Sequence, residues 1–240
     1  MEIYLGFDPG GEGHFAWAVG SSGGFPLRVL ATGEAGDAEQ ALSKSLLAIP
    51  KTGLVVGAGI DAPLFWSKSG ARVVDTLIRQ AIKKMGAPSP GGTVQHINSL
   101  RGACLVQGIL VANLVYEQFS EISITESHPK ALLYLLGIAN EQKTPATISM
   151  TDLSEYASCD KEFVSEHERD AILAAVTAFA QRERRRGWRN LFEEEKEPLR
   201  PFNYPVEYWM PWDLVEEHKA TSKIGGQDEK THYQETYQKK

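Results

Sequence analysis

The chain begins with an apolar run, Ile3 to Phe7, that ends at Asp8 and is followed at once by Pro9-Gly10-Gly11. A short uninterrupted apolar stretch closed by turn residues predicts a buried strand with Asp8 at its tip. His14 to Val19 and Leu27 to Thr32, separated by Ser21-Ser22-Gly23-Gly24, supply the other strands of two hairpins. From Asp37 the period changes. Ala38, Ala41, Leu42, Leu46 and Leu47 recur at helical spacing, and Asp37 with Gln40 forms a capping-box signature, so a helix runs toward Pro50. Leu54 to Ile60 repeats the first pattern and ends at Asp61 before Ala62-Pro63. Arg72 to Met85 reads as an amphipathic helix, Gly86 to Gly92 as a Pro- and Gly-rich loop, and Ala103 to Phe119 as a mostly buried helix. Ile122 to Glu126 alternates as a short strand, again ended by an acid, and Lys130 to Leu136 is helical with its stop at Gly137. A polar loop over 142–150 leads to a short helix over 152–157. Ser165 and Glu168 cap a last helix, expected to reach Arg186 and stop at Gly187. Its interior, Ala171 to Ala180, carries no charge, so it must be packed on more than one side.

Beyond Gly187 the pattern dissolves into mixed charge, Pro and aromatics. Three parts are therefore expected: a domain over 1–187, an aromatic-rich segment over 188–221 packed on it, and a polar, disordered tail over 222–240. With 42% hydrophobic and 23% charged residues in 240, the composition is that of an ordinary globular protein. The longest apolar candidate is broken by Gln107, Gly108 and Asn113, which excludes a bilayer span. The start, Met1-Glu2, lacks the basic lead and cleavage site of a signal peptide, and Cys104 and Cys159 have neither disulfide-framework nor zinc spacing. A cytoplasmic protein with reduced cysteines is expected. The net charge of −6 argues against a general polyanion-coating role but leaves a nuclease open, because catalytic carboxylates themselves add negative charge.

The element order is strand, strand, strand, helix, strand, inserted helix, helix, strand, helix. It is the order of the ribonuclease-H-like α/β fold, expected here as a mixed five-stranded sheet flanked by helices, with an inserted helix and a C-terminal extension. That fold brings Asp8, Asp61 and Asp170 to one edge of the sheet, with Glu126 at a third strand end. Such acids suit Mg2+ or Mn2+, and two of these ions can divide the work of phosphodiester cleavage in DNA or RNA. Each acid also has a plainer reading: Asp8 and Asp61 as turn-formers before proline, Glu126 as an exposed strand end, Asp170 and Glu166 as partners of the helix dipole. His128 and His167 flank two of the acids as candidate proton shuttles or ligands, and Lys130 is a candidate phosphate neutraliser. The run RERRRGWR, Arg182 to Arg189, suits phosphate contacts and base stacking, or else complements a helix C-terminus and the following glutamates. Two other functions remain open: an actin- or sugar-kinase-like ATP-binding phosphotransferase, and a non-catalytic binding protein that docks partners through Phe202 to Trp212.

The motifs GFDPGG followed by Trp17, GIDAPL, ARVVDTLIR, ESHPKALL and ERDAILAAVTAFA occur in that order. In this series, over roughly residues 3 to 181, the chain resembles the predicted nucleases of ribonuclease-H-like fold known as domain of unknown function 429, relatives of the Holliday-junction resolvases. The resemblance implies that Asp8, Asp61, Glu126 and Asp170 are the metal-binding acids. It also implies that Arg72, Asp75 and Arg79 belong to a motif on the inserted helix. One position departs from the family, which often has a second acid where this chain has Lys130.

Overall fold

The computed structural model describes residues 1–213 apart from 12, 68–70, 96–101, 161–162, 197 and 200; the expected tail over 222–240 lies outside the described residues. Strands β1 (Glu2–Asp8), β2 (Phe15–Ser21) and β3 (Leu27–Ala35) form the two expected hairpins. Helix α1 (Ala38–Leu47) starts where the capping signature puts it, with the Asp37 carboxylate accepting from Gln40 N–H at 2.8 Å. Then come β4 (Leu54–Ile60), β5 (Trp66–Ser67), α2 (Val73–Lys84), a single helical turn α3 (Pro90–Thr93), α4 (Gly102–Gln118), β6 (Ser123–Glu126) and α5 (Pro129–Leu135). The chain ends with β7 (Ala157–Ser158), α6 (Glu166–Arg182), β8 (Arg189–Asn190), β9 (Pro198–Leu199) and β10 (Val206–Met210).

The main sheet runs β7-β3-β2-β1-β4-β6-β10-β8, and β5 pairs with β9 apart from it. Its centre, β3-β2-β1-β4-β6, is the ribonuclease-H-like sheet, with β2 antiparallel to both neighbours and β1, β4 and β6 parallel. The sheet has eight strands rather than the expected five because short strands extend both edges. The short helix expected over 152–157 is a 3-10 turn at Thr151–Leu153, and Ala157–Ser158 add β7 beside β3. Residues 188–213, expected to lie over the domain, supply β8 and β10, the latter parallel to β6 with Val206 opposite Ile124. β10 escapes notice in the sequence because it holds only five residues between Pro205 and Pro211.

Two further expectations change. Residues 90–93 of the Pro- and Gly-rich loop make the helical turn α3, started by proline at its first position. α6 ends at Arg182, short of Arg186, because Arg184 takes up a left-handed φ of 46°.

One core lies between the sheet and α6; the other lies under α1 and α4. Ala171 to Gln181 are all buried, as the uncharged stretch requires. α6 sits on the strands main chain to main chain. A β-carbon on Gly6 would stand 1.8 Å from the Ala171 carbonyl oxygen, and one on Gly59 1.9 Å from that of Ala174. Only glycine permits that approach.

Tyr204, Tyr208, Trp209 and Trp212 are buried, so they do not form the exposed aromatic surface a docking protein would use. The arginine run lies at the far end of α6 from Asp170, roughly 18 Å away over twelve residues at the helical rise. Four of its five arginines are engaged locally: Arg182 with Glu2, Arg184 with Glu207, Arg189 with Glu194, and Arg185 over the Phe25 ring. A phosphate at the acidic edge is out of their reach. Among the described residues, no helix is long and apolar enough to cross a membrane, and no second related domain of the kind a sugar kinase carries is present.

Candidate metal centre

β1 and β4 are parallel neighbours with Phe7 opposite Ile60, and the ladder continues one step further through Asp61 N–H donating to Phe7 O at 2.8 Å. Asp8 and Asp61 thus leave adjacent strands side by side. Alternation along each strand puts Asp8 on the face of Gly6 and Asp61 on the face of Gly59, the face that α6 covers. Asp170 precedes Ala171, whose carbonyl rests on Gly6, so the helix delivers it to the same edge. Asp8, Asp61 and Asp170 line one cavity of about 180 Å3, with His128, Lys130 and His167 also on its wall. A cavity of about 400 Å3 beside β3 is larger, but its Glu168 is taken up by Val164 N–H at 2.7 Å and its lining is mostly apolar.

Each acid is held differently. Asp8 Oδ2 lies 2.7 Å from His167 Nδ1, and this contact raises the His167 pKa against the effect of burial. Asp170 Oδ1 accepts from Arg169 Nε at 2.8 Å and Nη2 at 2.6 Å, while Oδ2 is 4.0 Å from Lys130 Nζ. Arg169, itself buried, is fixed in turn by the Pro145 carbonyl. Burial pushes the Asp170 carboxyl up to about 6, with Arg169 pulling it down and Asp8 pushing it further up. The Asp61 carboxyl is raised well above the ordinary range by burial first, then by Asp8 and Asp170, with Lys130 offsetting part of this. Glu166 stands on the rim, 3.5 Å from Lys130.

The structure does not bring Glu126 into this group. Its register partner is Ile60, one position before Asp61, and it does not line the cavity, although it is near enough to push the Asp61 carboxyl up. Arg72 takes both of its oxygens, Nη1 to Oε2 at 3.0 Å and Nη2 to Oε1 at 2.5 Å, and Leu64 N–H donates to Oε2 at 2.8 Å. The same guanidinium binds Asp75 through Nε at 3.0 Å and Nη2 at 2.6 Å. Burial alone would lower the Arg72 pKa, but Glu126 and Asp75 raise it above its ordinary value. Asp75, Glu126 and His128 hold three possible ligand atoms within 4.8 Å of one another, yet Arg72 already provides the cation there. That group does not fit a metal. The cavity of Asp8, Asp61 and Asp170 offers donors of the kind a hard divalent ion takes, with mutual repulsion that Lys130 relieves only in part, but the three do not hold their oxygens within 4.8 Å of one another as the Asp75 group does.

Sequence reasoning missed Arg169 and Tyr208. Arg169 had one available signal, a charged residue entering a helix that is otherwise apolar from Ala171. Tyr208, which bonds His128, and Thr93, Gln95 and Cys104, which line the cavity, had none.

No family model matches the chain, and no curated protein matches it. Among solved structures the chain is similar to the Thermus thermophilus RuvC structure, with 14% identity and a TM-score of 0.37 over 82% of this chain and 99% of that one. The side chains of the site itself have to carry its interpretation.

Proposed function

We propose that the chain is a divalent-metal-dependent nuclease, that Asp8, Asp61 and Asp170 hold Mg2+ or Mn2+, and that the protein belongs with the domain of unknown function 429 nucleases its motifs resemble. The convergence of three carboxylates in one cavity, with Asp61 destabilised as an anion by burial and then by Asp8 and Asp170, carries this reading. A bound divalent ion, or a pair of them, supplies Lewis-acid stabilisation of the phosphoryl oxygens and a more acidic water. The chain's own residues prepare the place. His167 fixes one oxygen of Asp8, and Arg169 fixes one oxygen of Asp170. In each acid the other oxygen is left for a ligand role. Lys130, half-exposed at the mouth, is placed to neutralise a substrate phosphate. Glu126 supports the site from behind through Arg72 and Leu64. A cytoplasmic setting accords with the free thiols of Cys104 and Cys159.

Asp8→Asn and Asp61→Asn test the proposal. Each should abolish Mn2+-dependent cleavage of DNA and RNA substrates while leaving the thermal unfolding cooperative, and anomalous scattering from Mn2+-soaked crystals should place the ion between the three acids. Full cleavage by both variants overturns the reading.

A further inference from the structure

His128, on the wall of the acidic cavity, is also tied to the buried Tyr208 behind it. It caps the start of α5, and its Nδ1 lies 3.1 Å from the hydroxyl of Tyr208, a residue with no exposed surface. That phenol sits beside Glu126 in a desolvated environment and keeps its proton. It has no other hydrogen-bond partner among the described residues, so His128 Nδ1 is where its proton goes; leaving a buried hydroxyl undonated is costly. The alternative acceptor, Glu126 Oε1, is 3.7 Å from Nδ1 and already accepts from Arg72. An imidazole that accepts at Nδ1 carries its hydrogen on Nε2. The Ser127 main chain also interacts with the ring, but Nε2 makes no hydrogen bond of good geometry among the described residues and is not one of the buried atoms lacking a partner, so the open edge of the ring is the one on the cavity wall.

We propose that His128 is a neutral hydrogen-bond donor, locked in its Nε2–H tautomer by Tyr208, and that it presents this hydrogen to a non-bridging phosphate oxygen of the substrate. The choice of a phosphate oxygen rests on the nuclease reading given above; the tautomer does not. This arrangement excludes His128 from the metal's ligands, because one ring nitrogen is occupied by the phenol and the other by its own hydrogen. In a cavity walled by carboxylates, His128 then supplies a donor for an anionic group without adding a second fixed positive charge beside Lys130. Tyr208 is the positioning residue, and its effect runs entirely through the ring.

The test is nitrogen-15 spectroscopy of the full chain labelled at histidine, with the His128 signals assigned by their loss in His128→Gln. The expected result is an accepting Nδ1 and a protonated Nε2, unchanged when Mg2+ is added. With Mg2+ present, inorganic phosphate should shift the Nε2–H signal. Tyr208→Phe keeps the ring packing but removes the donor, and should convert His128 to a tautomer mixture and weaken the phosphate-induced shift severalfold. An Nδ1–H tautomer, a Tyr208→Phe spectrum identical to wild type, or no response to phosphate overturns the proposal. So does loss of the Nε2 hydrogen on adding Mg2+, which would make His128 a ligand. Binding of Mn2+ is read separately, from paramagnetic broadening at Asp8 and Asp61. Absence of broadening defeats the nuclease reading whatever tautomer His128 shows.

Discussion

Two carboxylate groups stand back to back at one edge of the sheet, and they have opposite fates. Glu126 and Asp75 enclose Arg72, and all three are buried with their hydrogen bonds made within the group. Asp8, Asp61 and Asp170 face a cavity; Arg169 holds one oxygen of Asp170 and His167 one oxygen of Asp8, while Asp61 has only the more distant Lys130 to offset its charge. Acid content does not separate the two. What separates them is how completely the chain's own cations occupy the carboxylate oxygens. Arg72 takes both oxygens of Glu126 and both of Asp75; Arg169 takes one oxygen of Asp170, and Asp61 is left without a bonded cation among the described residues.

The comparison can be broken most forcefully at Arg72. Arg72→Met leaves Glu126 and Asp75 buried without a cation and should destabilise the fold by about 3–5 kcal/mol, read from denaturant unfolding. Adding Asp75→Leu and Glu126→Gln should restore much of that loss, since apolar or neutral replacement of a whole buried ion cluster is often tolerated. A wild-type unfolding midpoint for Arg72→Met would show the clamp to be ornamental. The open group should answer the opposite way. Asp61→Asn removes repulsion from Asp8 and Asp170, so the fold should hold its stability or gain up to about 1 kcal/mol, while Mn2+ affinity measured by calorimetry falls at least tenfold.

The pH dependence sharpens the same contrast. A carboxyl raised in the folded state binds protons there that the unfolded chain has released, so its contribution to stability declines as pH rises. For Asp170 that window runs from the ordinary carboxylate range near 4 up to its folded value of about 6. Metal-free protein should therefore lose stability across this window, Asp170→Asn should make the slope shallower while Asp61 and Glu126, also raised, keep part of it, and saturating Mg2+ should oppose the loss. The smallest effect is expected at the rim. Lys130→Ala should change stability by less than about 1 kcal/mol, because the side chain is half-exposed, while raising KM for a polyanionic substrate at low salt. An unfolding defect larger than that would move Lys130 from the open group to the structural one.

Much of this edge could be read in the sequence. Apolar runs ending in Asp8 and Asp61 before turn residues placed both acids at strand tips, and the uncharged run after Asp170 correctly required a helix packed on several sides. Glu126 looks the same as these by that criterion. What sets it apart is one step of register between β4 and β6, and register follows from long-range pairing that no local pattern encodes. The clamp was hidden for a similar reason: Arg72 and Asp75 are three residues apart, but their partner lies 54 positions away. β10 was missed because packing and pairing with β6 make it a strand, while its own five residues are flanked by prolines. The strand count suffered at both edges, where two-residue pairings are too short to leave any pattern.

The contact of α6 with Gly6 and Gly59 has a consequence for how this site withstands sequence drift. The separation between Asp170 and the pair on the strands is set where carbonyl oxygens of the helix touch strand main chain. Aliphatic side chains elsewhere in the two cores can be exchanged for others of similar volume without moving that point of contact. The two glycines have no such freedom, since any β-carbon would lift the helix and carry Asp170 with it. A lineage could repack most of its interior and keep the site, or lose the site by gaining a single methyl group at either position.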